Sequence, residues 1–98
     1  MRFIVQFTDN EDFAHKRQEH MKDHLAFLGR NKETVLSAGP LFDLISGAGA
    51  GGLWVVEAKH EAAVQSLVEE DPFYPTGLRQ DIRILQWKVV FENGEAQL

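Results

Sequence analysis

Apolar and polar residues alternate at the start of the chain. Phe3, Val5 and Phe7 take turns with Arg2, Gln6 and Thr8, a period of two that predicts a strand over 2–8. Thr8-Asp9-Asn10 is turn chemistry, with Asp9 or Asn10 available as a helix cap. The period then lengthens. Phe13, Arg17, Met21, His24, Leu25 and Leu28 recur three and four apart, which places them on one face of a helix over 11–31. Gly29 weakens its last turn and Asn31 can end it. A second strand is expected over 34–41, interrupted by Gly39-Pro40, then a loop over 43–52 and a third strand over 53–58. Ala63, Val64, Leu67 and Val68 mark one side of a second helix over 61–70. A punctuated linker over 71–77 leads to a last strand over 81–91, and the polar tail from about 92 is expected to fray.

The order is β-α-β-β-α-β. It predicts one ferredoxin-like α+β domain over residues 1–98: a four-stranded antiparallel sheet with both helices on one face. Two helices leave the other face bare, and a solvated face would show clean alternation. The strands do not. Ile4 breaks the polar parity of the first, Leu53 and Val55 oppose Trp54 and Val56, and Leu85, Trp87 and Val89 oppose Ile82 and Ile84. Covering each such side chain is worth roughly 1.5–3 kcal/mol. A homodimer, sheet against sheet, is therefore expected, with a pocket between the sheet and its flanking elements.

Composition narrows the partners. The chain of 98 residues, 44% apolar and 26% charged, suits a single globular domain. Its net charge of −5 argues against nucleic acid, whose phosphates call for clustered Lys and Arg. No run approaches the ~18 apolar residues that span a bilayer. The absence of cysteine removes disulfides, Cys-based metal sites and thiol nucleophiles, and fits a cytoplasmic location.

The candidate chemistry rests on two residues far apart in sequence. His24 lies on the apolar helix stripe between Met21 and Leu28, where it is either a core imidazole satisfied by a carbonyl or an acid–base group. Asp71 closes the second helix in Glu70-Asp71-Pro72-Phe73. Asp before Pro also suits a purely local cap. Yet Glu69, Glu70 and Asp71 crowd a helix C-terminus, where the macrodipole disfavours anions. Protonated His24 or Arg79 would relieve that crowding.

Other motifs are weaker. Gly47 to Gly52 fits G-x-G-x-x-G, but it precedes a strand instead of opening a helix, so a hairpin loop or lid is expected in place of a dinucleotide site. His20 and His24 are four apart, but no acidic residue completes an H-E-x-x-H pattern, and no metal is expected. Ser37 lacks a G-x-S-x-G elbow but can offer a hydroxyl to a pocket. Arg17, two turns before His24, can meet an anionic substrate group or reach solvent.

His24-Leu25 with Phe27-Leu28, Ser37-Ala38-Gly39-Pro40-Leu41, Glu70-Asp71-Pro72-Phe73, Gly77-Leu78, and Ile84 with Trp87 together resemble the YCII-related (YciI-like) family. The resemblance covers nearly the whole chain. It implies a dimeric α+β barrel built from ferredoxin-like protomers and a His–Asp active site falling on His24 and Asp71. One similar group removes chloride from hydroxylated aromatic rings, and other relatives of the barrel are muconolactone isomerases and small monooxygenases. The Gly/Ala-rich segment 47–52 departs from the acidic or polar hairpin of many members, which puts the pocket mouth in question.

The expected function is thus a cofactor-independent acid–base enzyme of lyase, dehalogenase or isomerase type, acting on a small, aromatic or enol-type metabolite. His24 is the expected acid/base and Asp71 its orienting partner. Ser37 is to bind a substrate oxygen, Trp54 and Phe73 to form an apolar wall, and Arg17 and Arg79 to supply positive charge. The competing readings are a non-catalytic ligand-binding or dimerisation module and a cofactor-free monooxygenase of the same barrel.

Overall fold

The structure, a computed structural model, describes residues 1–97. Its strands and helices are β1 (Arg2–Asp9), α1 (His15–Arg30), β2 (Val35–Phe42), β3 (Gly49–Glu57), α2 (Glu61–Glu70), β4 (Arg79–Gln86), β5 (Phe91–Glu92) and β6 (Glu95–Ala96). The main sheet has the order β2-β3-β1-β4, antiparallel throughout. This is the ferredoxin-like α+β fold.

The alternation in β1 works as its period dictates. Phe3, Val5 and Phe7 are buried and meet His24 and Phe27 of α1, Val64, Leu67 and Val68 of α2, and Trp54 and Val56 of β3 in one core. Both helices therefore lie on the same face of the sheet. The His60 side chain caps α2 by accepting from the Ala63 amide at 3.2 Å.

Four boundaries differ from expectation. The segment 11–31 is not one helix. Asn10 caps a separate 3-10 turn at Glu11–Phe13, and α1 begins only at His15. The glycine-rich segment is not all loop. Gly49 to Gly52 belong to β3, and Gly51, at φ 83°, lies so close to β1 that a Cβ would overlap the Phe7 carbonyl. The last strand stops at Gln86 because its partner runs out: Gln86 already pairs with Phe3, and the Trp87 amide bonds to the Arg2 carbonyl. The tail does not simply fray. It folds into a β5–β6 hairpin around Asn93 and Gly94, both at positive φ, which is the Asn-Gly turn that matches strand twist.

On the face away from the helices, Ile4 sits between its cross-strand neighbours Val55 and Leu85. With Leu53 and Trp87 they line a shallow apolar depression. Among the described residues, no helix is long and apolar enough to cross a membrane.

Candidate active site

The site forms where the middle of α1 faces the end of α2. His24 is buried on the inward side of α1, and its exposure is 6%. Asp71 leaves α2 with extended backbone (φ −63°, ψ 130°), which frees its side chain from the helix and turns it inward. Its Oδ1 accepts from the Phe73 amide at 3.0 Å, a local turn bond, and lies 2.8 Å from His24 Nδ1. The local cap and the long-range contact are thus both made, by one oxygen.

An ionised carboxylate can only accept, so Nδ1 carries the ring proton. In the neutral ring Nε2 is then the lone-pair nitrogen. It has no hydrogen-bond partner among the described residues, and the ring lines a cleft between α1 and the sheet. The Phe73 ring stacks on the imidazole at 4.1 Å and 14° between planes, and fixes its orientation from behind.

Arg79, at the start of β4, holds the other oxygen of Asp71, with Nη2 donating to Oδ2 at 3.3 Å. The guanidinium carbon sits 3.6 Å from the centre of the Phe7 ring, a cation–π contact. Burial lowers the Arg79 pKa to about 10, an effect that the charge of Asp71 only partly offsets and that of Arg17 adds to. Arg17, on α1, is matched separately by Asp9, with Nη2 donating to Oδ2 at 2.6 Å.

The cleft has a volume of about 90 Å³; its walls include Arg17, His24, Trp54 and Arg79, and Leu25 and Pro40 stand among its apolar lining. Two of the residues expected to contact substrate lie elsewhere. Phe73 is fully buried behind His24 and does not line the cleft. Ser37 pairs with Val55 and is exposed on the sheet's outer side, because a bulge between Val35 and Ser37 flips the parity of β2. His20 does not join His24: its Nε2 lies 4.0 Å from Glu19, and among the described residues no three His, Asp or Glu cluster as metal ligands. Gly52, which lines the cleft, and Asp9, which holds Arg17, escaped the reading of the sequence. Only the spacing from Asp9 to Arg17, one strand end to one helix face, carried a trace of the pairing.

Fold and site together define a class: small ferredoxin-like α+β proteins with a buried imidazole–carboxylate pair opening on a cleft beside the sheet. The chain belongs to the YCII-related domain family, whose model matches residues 1–88. It is similar to the 5-chloro-2-hydroxyhydroquinone dehydrochlorinase TftG of Burkholderia phenoliruptrix, solved in complex with 2,5-dihydroxybenzoquinone. The two share 28% identity and a TM-score of 0.79, over 90% of this chain and 94% of that one. The fold, at 14% identity and a TM-score of 0.56, also resembles a protein of Bacteroides thetaiotaomicron named as a candidate antibiotic biosynthesis monooxygenase, over 99% of this chain and 95% of that one. A comparison with curated proteins finds no match.

Proposed function

We propose that this chain is an acid–base enzyme acting on a small hydroxylated aromatic or enol-type metabolite, by elimination or isomerisation, with His24 as the proton carrier. The observation that carries this reading is the 2.8 Å contact of His24 Nδ1 with Asp71, which leaves Nε2 as a base facing the cleft. Asp71 orients the ring and stabilises the imidazolium once it forms. Similarity to a dehydrochlorinase supports the substrate class.

The chemistry asks for no more than this. In the keto tautomer of a hydroxylated ring bearing a halogen on a tetrahedral carbon, a proton passes to Nε2. The freed pair forms a new π bond, and the halide leaves with the carbon–halogen pair. The net loss is hydrogen halide, and no outside oxidant or reductant takes part, so no cofactor is called for. The cleft is smaller than the ~150 Å³ cavity that encloses a benzene ring, so a ring bound there extends outward past Leu25 and Pro40.

The working unit is a homodimer, supported by the apolar outer face of Ile4, Leu53, Val55, Leu85 and Trp87. A chain free of cysteine suits the cytoplasm as its compartment. The test is a panel of chlorinated hydroxyhydroquinones and enolisable small acids, followed by chloride release and by proton exchange. The reading predicts turnover of at least one, without oxygen uptake, that falls roughly 10²–10⁴-fold in His24→Asn. Equal rates in the two proteins, or turnover tied to oxygen consumption, would refute it.

A further inference from the structure

Asp71 bridges two side chains at once. One oxygen holds His24 and the other holds Arg79, so the imidazole and the guanidinium are fastened side by side. Arg79 is left short of partners. Its side chain is 4% exposed, and among the described residues its Nε is buried with no hydrogen bond and its one side-chain bond is the 3.3 Å contact through Nη2. Nη1 has no protein partner among the described residues either, but it is not sealed off as Nε is. A buried guanidinium with open donors, in a cleft wall, is built to receive negative charge.

The space in front of Nη1 exists because of a missing side chain. Gly52 lines the same cleft. A Cβ on Gly52 would lie 3.5 Å from Nη1, 3.4 Å from the Gly39 carbonyl oxygen and 3.8 Å from the Phe7 ring. These are ordinary contacts, and Gly52 does not need positive φ. Alanine would fit there, and it would fill the approach to Nη1. Arg17 also lines the cleft, but its side chain is 23% exposed, so water reaches the donors that Asp9 leaves free, whereas the Arg79 side chain is 4% exposed.

We propose that the cleft binds its substrate as an oxyanion, a phenolate or enolate oxygen docked on Arg79 Nη1, and that Gly52 sets this specificity by leaving the approach open. This rests on the acid–base reading of the same site and adds the charge state of the ligand. The oxyanion on Arg79 places the adjoining carbons beside His24 Nε2, the proton carrier held by the same carboxylate. Arg79 stabilises the negative charge that spreads into the ring as a proton leaves.

The test is calorimetric titration with 2,5-dihydroxybenzoquinone, an acidic dihydroxyquinone that is ionised in solution at neutral pH, and with hydroquinone, which is uncharged there. The wild type should prefer the anion. Arg79→Met and Gly52→Ala should each weaken anion binding roughly tenfold or more, with little change for hydroquinone, while His24→Asn keeps the preference and loses turnover. Circular dichroism checks folding; if Arg79→Met does not fold, Gly52→Ala decides alone. Anion binding by folded Gly52→Ala at wild-type strength, or no anion preference in the wild type, would overturn the proposal. Wild-type turnover in His24→Asn would instead strike the acid–base reading, which the binding data do not touch.

Discussion

Two oxygens of one buried side chain hold three groups in place: His24, Arg79 and the Phe73 amide. Removing Asp71 would leave a guanidinium buried beside an imidazole without the carboxylate that bonds it, and with only the weaker charge of Asp9 to offset it. Breaking a buried pair in this way costs about 3–5 kcal/mol. Asp71→Ala should lose that much in a denaturant titration. Asp71→Ala with Arg79→Met should lose less, since the unpaired charge goes with the arginine. A double variant as unstable as the sum of the singles would contradict this view of the pair. Much of this was legible in the sequence. A lone imidazole on an apolar stripe, and acids crowding a helix end, each ask for a partner, and they find each other. The sequence was silent on which stripe residue is deepest. Leu25 shared the predicted face but is 57% exposed, whereas Phe27 is buried. The inward face of α1 is centred on His24 and Phe27, both of which pack against Trp54 of β3. Helical spacing alone does not fix where that centre falls.

At the scale of the element, the errors trace to backbone events that leave little mark on a hydrophobic pattern. One bulge in β2 turns Ser37 outward and so removes a hydroxyl from the cleft. Parity counted through a strand cannot see it. The glycines misled for a related reason: a run of small residues reads as loop, but Gly49 pairs with Phe42 of β2, and Gly52 with both Pro40 of β2 and Phe7 of β1. Gly51→Ala should therefore destabilise the protein by more than the ~1–2 kcal/mol of the left-handed conformation alone, since its Cβ would overlap the Phe7 carbonyl. Gly49→Ala, whose Cβ meets nothing within 4 Å, should be near neutral. Thermal melts of the two variants compare them directly, and equal losses would mean that the close approach is not what demands glycine. The β5–β6 hairpin was legible in Asn93-Gly94, but it was hidden by the polarity of its flanks.

For the whole molecule, the decisive feature is a sheet with two apolar faces. The helix-side face makes the core. The other, with Ile4 flanked by Val55 and Leu85, is left without a covering layer among the described residues. This double-sided pattern was plain in the strand parities, and it is why the sequence pointed to a second copy. Leu85→Lys would place a charge in the middle of that face, and its cost falls on association and not on the core. Light scattering coupled to gel filtration should show the wild type as a dimer and Leu85→Lys as a monomer of near-native secondary structure. A wild type that elutes as a monomer would remove the dimer from the account. The substrate itself was never legible, because a cleft of about 90 Å³ is assembled from four separate elements.

The account stands most directly on the role of His24, and the pH dependence of kcat/KM tests it. For the best substrate of the panel, the wild type should show an ionisation limb that His24→Asn lacks, together with a loss of roughly 10²–10⁴-fold at the optimum. A His24→Asn protein that keeps both the limb and the rate would show that the buried pair holds the fold together and takes no proton from substrate.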